Sequence, residues 1–242
     1  MIRSQKKLNE TIAPQEKLSS SEELLVTYHK TISWAQQNSS KAIAGGVIII
    51  ALIAGFFIWR SKQAENSEHA EILLSRIAGI YQSGDWRKAI DGDAKQRIQN
   101  EPLRGLKEIG AEYGSTHAGE IAKLYLGNAY YYLGKLDSAM QAFNDASVDG
   151  SLLKAAVESG KATIFEDKGN KEEAAKLFMA AASIEKINPM NADYTLAAAR
   201  NYEGAGKKDE AVKIYRKLLV DYPGTQFDDA AKRELLKLNV IL

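Results

Sequence analysis

Lys41 and Arg60 bracket AIAGGVIIIALIAGFFIW, 18 residues without a charge, and beyond it apolar positions recur at helical spacing almost to the C-terminus. Folded as a helix, this block spans about 27 Å at ~1.5 Å per residue, close to the hydrocarbon thickness of a bilayer. Ten of the 18 are Ile, Leu, Val or Phe, which favour insertion by roughly 3–6 kcal/mol as an upper bound. A buried core helix would show a polar second face, and none is marked here. A cleaved signal would carry a shorter apolar run nearer the start, with small residues before the cut. The pattern predicts a retained single-pass transmembrane helix over 42–59. Lys41, Trp59 and Arg60 sit at its interfaces, and the small pairs Ala42/Gly46 and Ala51/Gly55 hint at helix packing in the membrane.

Residues 1–41 read as a polar tail. It carries Arg3, Lys6, Lys7, Lys17, Lys30 and Lys41 against four acids, a balance that favours keeping the N-terminus in the cytoplasm. Within it, Ser20-Ser21-Glu22-Glu23 fits a capping box. The box opens a short amphipathic stretch with Leu25, Tyr28, Ile32 and Ala35 on one side, which lies on the membrane or runs into the anchor. After the anchor, residues 60–84 predict a helical stalk with Ile72/Leu73, Ile77 and Ile80/Tyr81 at helical intervals.

From there the chain repeats. Gly127 is followed by Tyr130, Gly134, Ala139 and Phe143; Ala162 by Phe165, Gly169, Ala174 and Phe178; Ala199 by Tyr202, Gly206, Ala211, Tyr215 and finally Pro223. The starting points stand 35 and then 37 residues apart. This resembles the tetratricopeptide repeat, a helix–turn–helix unit of about 34 residues. Small residues let the paired helices approach, aromatics fill the space beside them, and glycine serves the turn. Asp137, Asn170 and Asp209 stand where N-caps of the second helices are useful. EYGSTHAGEIA at 112–122 echoes DYPGTQFDDAA at 221–231 and predicts Thr116 and Thr225 as helix caps. Residues 85–119 form a degenerate repeat or connection in which DGDAKQRIQNEP interrupts the second helix. Residues 120–242 hold three repeats and a capping helix.

The resemblance implies an all-α chain: one N-terminal transmembrane helix followed by a right-handed solenoid of helical hairpins. It also implies that first helices line a concave surface. On that basis Asn128, Tyr131, Tyr132, Glu166, Arg200 and Glu203 face a protein-binding groove; the alternative is that they fill gaps between neighbouring repeats.

Composition removes most other chemistry. Lys and Arg number 32 against 31 acidic residues, so no basic field exists to bind nucleic acid. Cysteine is absent, which excludes disulfides, thiol nucleophiles and thiolate metal sites. His29, His69 and His117 lie in the tail, the stalk and a loop, without metal-ligand spacing. GSTHAG lacks the Gly-Lys-Ser/Thr ending of a phosphate loop, and DGD at 91–93 offers two carboxylates without further ligands. No catalytic set, cofactor motif or metal site is expected, and the chain reads as non-enzymatic.

The layout of tail, anchor and stalk, with AIDGD and YGSTHAGEIA, is similar to a narrower group of bacterial anchored tetratricopeptide proteins. They are related to the ancillary component of the SecYEG translocon, which acts beside a membrane-anchored periplasmic prolyl isomerase chaperone. That resemblance implies an inner-membrane protein with a cytoplasmic N-terminus and a periplasmic C-terminal domain, acting as an adaptor for the translocon, chaperones or secreted clients. An assembly scaffold for another envelope complex shares every one of these features.

Overall fold

The computed structural model describes residues 20–241, and the polar stretch at 1–18 lies outside them. Helix α1 (Ser20–Gln37) precedes a 44-residue helix α2 (Ser39–Gln82). By length and composition α2 can cross a membrane, and its apolar window has no buried residue. The chain divides into two compact units after Arg60.

The second unit begins with the remainder of α2 and continues through α3 (Trp86–Asp91), β1 (Gly92–Ile98), β2 (Glu101–Arg104) and α4 (Leu106–Glu112). Seven helices follow: α5 (His117–Tyr132), α6 (Leu136–Asp145), α7 (Ser151–Asp167), α8 (Lys171–Ile184), α9 (Asn191–Gly204), α10 (Lys208–Asp221) and α11 (Gln226–Lys237). Each of α5 to α11 packs on its neighbour in sequence.

The pairs α5/α6, α7/α8 and α9/α10 close in the same way. Gly134, Gly169 and Gly206 take φ of 70°, 78° and 76°, where a β-carbon would be strained. The N–H of Lys135 bonds the Tyr130 carbonyl while that of Gly134 bonds Tyr131. Asn170/Gly169 and Lys207/Gly206 repeat the pattern on Phe165/Glu166 and Tyr202/Glu203. These are Schellman closures. They place the aromatic of each repeat one turn before the helix end, where it packs against the core.

Between paired helices the small positions are fully buried: Ala139, Ala162, Ala174, Ala199 and Ala211 are each 0 % exposed. Phe143, Phe178 and Tyr215 fill the space they leave. Gly127 and Gly160 both face Phe143; a β-carbon would meet its ring at 2.6 Å and 2.5 Å respectively. Phe143 therefore sits between the backbones of α5 and α7. Pro223 stands exposed in the turn after α10, where it stops the helix and does no packing.

Two local expectations change. The chain is mostly helical and not all-α, because the interruption after α3 is an antiparallel hairpin. Its turn residues Gln99 and Asn100 have φ of 53° and 68°, the signs a type I′ turn requires. Arg76 of α2 ties the hairpin down through Glu101 at 2.6 Å and Gln99 at 2.6 Å. The second-helix caps also differ. Asn170 occupies the N-cap of α8 but its side chain bonds no N–H there. Asp137 and Asp209 lie inside the first turns of α6 and α10, where a negative charge still favours the helix dipole. The caps at Thr116 and Thr225 form as expected, accepting from Gly119 N and Asp228 N.

Candidate protein-binding surface

The end of α2, the start of α3 and the length of α5 bring five aromatic rings together. Tyr81 stacks on Tyr125 with centroids 4.4 Å apart and planes 7° from parallel. Trp86 stacks on Tyr132 at 4.5 Å and 11°. Tyr81 meets Trp86 edge-on at 5.4 Å, and Tyr131 meets Tyr132 at 5.7 Å. Asn128 Nδ2 donates to the Tyr81 hydroxyl at 3.2 Å, pinning α5 to the end of α2. Burial raises the Tyr81 hydroxyl's pKa above its ordinary value, and the Asn128 bond opposes the shift.

This cluster reaches the surface at Tyr132, which is 61 % exposed. Beside it Tyr131 is half-buried, with the Asp167 carboxylate near its hydroxyl. Burial first, then that carboxylate and Glu166, push the Tyr131 pKa up to about 12. Of the six groove residues read from the sequence, the structure thus gathers Asn128, Tyr131, Tyr132 and Glu166 around one aromatic cluster.

Arg200 and Glu203 belong to a second group. Glu203 accepts the Tyr215 hydroxyl at 2.9 Å, and exposed Arg200 stands 3.9 Å from Glu234 of α11. Burial and the Glu203 carboxylate hold the Tyr215 hydroxyl protonated well above its ordinary range.

Tyr81, Trp86 and Tyr125 complete the first cluster; the sequence marked Tyr81 only as a stalk position and did not single out Trp86 or Tyr125. The signal was YQSGDW beside the recognised stalk, but the degenerate first repeat hides its register against α5. A second group missed in the sequence surrounds Tyr113. His69 Nδ1 lies 2.9 Å from the Tyr113 hydroxyl, which accepts from Arg104 Nη1 at 3.2 Å. Arg104 pairs with Glu108 and Glu112, and Arg76 with Glu101. This network clamps the hairpin between α2 and α4.

The sequence's DGD is structural. Asp93 accepts from Lys95 N and Gln96 N and pairs with Lys88 at 3.1 Å. Among the described residues no group of three His, Cys, Asp or Glu side chains is placed to hold a metal ion. A cleft of about 460 Å³ between α4, α5 and α6 is lined by Lys107, Lys123, Tyr130 and Gln141. It lacks any convergent set of titratable groups with reactive geometry, and the aromatic cluster lies outside it.

Residues 122–146 and 194–225 match the tetratricopeptide repeat family. The helical domain is a tetratricopeptide-like repeat array. Its fold is shared with a Podosopora anserina crystal structure described as a kinesin light chain of nearly identical TPR-like repeats. The TM-score is 0.52 at 16% identity, over 71% of this chain and 85% of that one. No curated protein matches the chain by sequence. In tetratricopeptide terms α5, α7 and α9 are the first helices of their pairs, and the six groove residues read from the sequence all lie on them. Tetratricopeptide repeats typically serve as protein-binding scaffolds.

Proposed function

We propose that this protein is a non-enzymatic, membrane-anchored adaptor whose tetratricopeptide-like domain captures a protein segment on its first-helix face. The observation that carries the reading is the Trp86–Tyr132 stack, continued by Tyr131 and Asn128. Large aromatics lose little conformational entropy on binding and commonly anchor interfaces. The uncharged 42–59 segment supports anchoring. The layout around AIDGD and YGSTHAGEIA supports a place in the bacterial inner membrane, with the repeats in the periplasm. There the adaptor links the SecYEG translocon to a periplasmic prolyl isomerase chaperone or to secreted clients.

The test is affinity purification of the full chain in mild detergent, followed by mass spectrometry. Translocon and chaperone subunits are the expected catch; a reproducible division or energy-transducing complex would replace the export assignment with the scaffold reading. Trp86→Ala with Tyr132→Ala should weaken capture by about 2 kcal/mol, roughly thirtyfold in affinity. Wild-type capture by a folded double variant would remove the first-helix face as the binding surface.

A further inference from the structure

We propose that the repeat domain touches lipid a second time, through the end that carries its second-to-first helix connections, with Leu152, Ile187, Met190 and Val220 as the apolar contacts. This rests on the anchoring of residues 42–59.

A chain of contacts shows that these connections share one end. Glu120, in the first turn of α5, accepts the Ser147 N–H from the loop before α7. Ser151 at the start of α7 donates to Glu185, just after α8, at 3.1 Å. Asn191 at the start of α9 donates to the Glu185 and Lys186 carbonyls at 2.6 Å and 3.3 Å. Lys186, Asn191, Asp221 and Tyr222 then line one cleft, which brings in the end of α10.

The loop at 185–190 buries its asparagine and leaves its apolar residues in water. Its Asn188 is 7 % exposed, as is Asn191 at the start of α9 at 5 %, and Asn188 Oδ1 accepts the Met190 N–H, while Glu185 and Lys186 remain exposed. Its apolar residues point outward, with Ile187 91 % and Met190 44 % exposed. Leu152 at 56 % and Val220 at 77 % flank it on α7 and α10. These four are half of the large hydrophobic side chains exposed among described residues 61–241. Exposed Lys154 and Lys186 stand among them, able to lay their stems on apolar surface and hold their charges at anionic headgroups.

Chain connectivity ties this end to the residues that follow the uncharged segment. Gln63 follows Arg60 by three residues, and its Nε2 donates to the Ser115 carbonyl at 2.9 Å, in the connection between α4 and α5. That connection therefore meets α2 one helical turn beyond Arg60 along the chain. Apolar side chains offered to a lipid interface gain the burial that water denies them.

The chain has no cysteine, so single-cysteine variants of the full protein can each carry one spin label. The protein is placed in nanodiscs of phosphatidylethanolamine and phosphatidylglycerol, and relaxation by oxygen is compared with relaxation by a water-soluble nickel chelate. Labels at Ile50→Cys, Ile187→Cys and Leu236→Cys report the anchor, the 185–190 loop and an exposed site on α11. The expected result is an oxygen-to-nickel ratio at 187 several-fold above that at 236 and shifted toward that at 50. Lipid-like values at 50 with equal, water-like values at 187 and 236 would overturn the inference and leave anchoring intact, freeing this end for a protein partner. Water-like values at all three would remove the anchor, and the inference with it.

Discussion

Phe143 is held between Gly127 of α5 and Gly160 of α7, and no larger residue fits at either point. A methyl group at Gly127 would meet ring carbons at 2.6 Å, so α5 and α6 would have to separate. Gly127→Ala and Gly160→Ala should each lower stability by on the order of 1–3 kcal/mol by overpacking, read from urea unfolding. Gly127 was legible in the sequence from the repeat register. Gly160 was not, because the repeat marks Ala162 as its small position and only the packing shows a second close approach. A different residue-scale prediction concerns acid. Arg76 holds the Glu101 carboxyl below its ordinary value of 4.5. A lowered carboxylate stabilises the fold above that value and ceases to as pH falls through the shifted one. The melting temperature should therefore drop between ~pH 5 and ~pH 3, and Glu101→Gln should make that drop shallower. An identical profile for the variant would show that the Arg76–Glu101 pair carries no acid-sensitive stability.

The hairpin is the element that sequence pattern could not supply. Residues 92–98 alternate poorly between polar and apolar, and the pairing shifts register between Asp93 and Arg97. What makes it a hairpin is tertiary: Leu103 is 3 % exposed in the core with Ile90 and Leu106, and Arg76 holds its turn. Gln99 and Asn100 occupy left-handed backbone that costs a non-glycine residue about 1 kcal/mol or more. Gln99→Asn with Asn100→Gly, the pair that suits a type I′ turn, should raise stability by about 1 kcal/mol, measured by the urea midpoint. A lower midpoint would mean that the Gln99–Arg76 bond matters more than turn strain. The paired helices behave differently. Their closures, their small residues and the Thr116 and Thr225 caps all follow from residues close in sequence, so the pattern located them.

At the scale of the whole molecule the testable statement is topology. Protease added to spheroplasts should degrade residues 61–242 and spare the tail, while a protected repeat domain would put it in the cytoplasm. The uncharged block and the repeat register were set by sequence alone, because each depends on composition over one helix or on spacing within one hairpin. The tertiary structure alone decided which distant side chains meet. Asn128 finds Tyr81 across 47 residues, and Trp86 finds Tyr132 from a repeat too degenerate to align. Arg200 and Glu203, by contrast, join Tyr215 and Glu234 and stay out of the aromatic cluster. The same holds for the loop at 185–190, whose asparagine faces inward and whose isoleucine faces out. Periodicity says which side of a helix is apolar; which neighbour covers it, and which apolar residue is left uncovered, is settled only by packing between elements far apart in the chain.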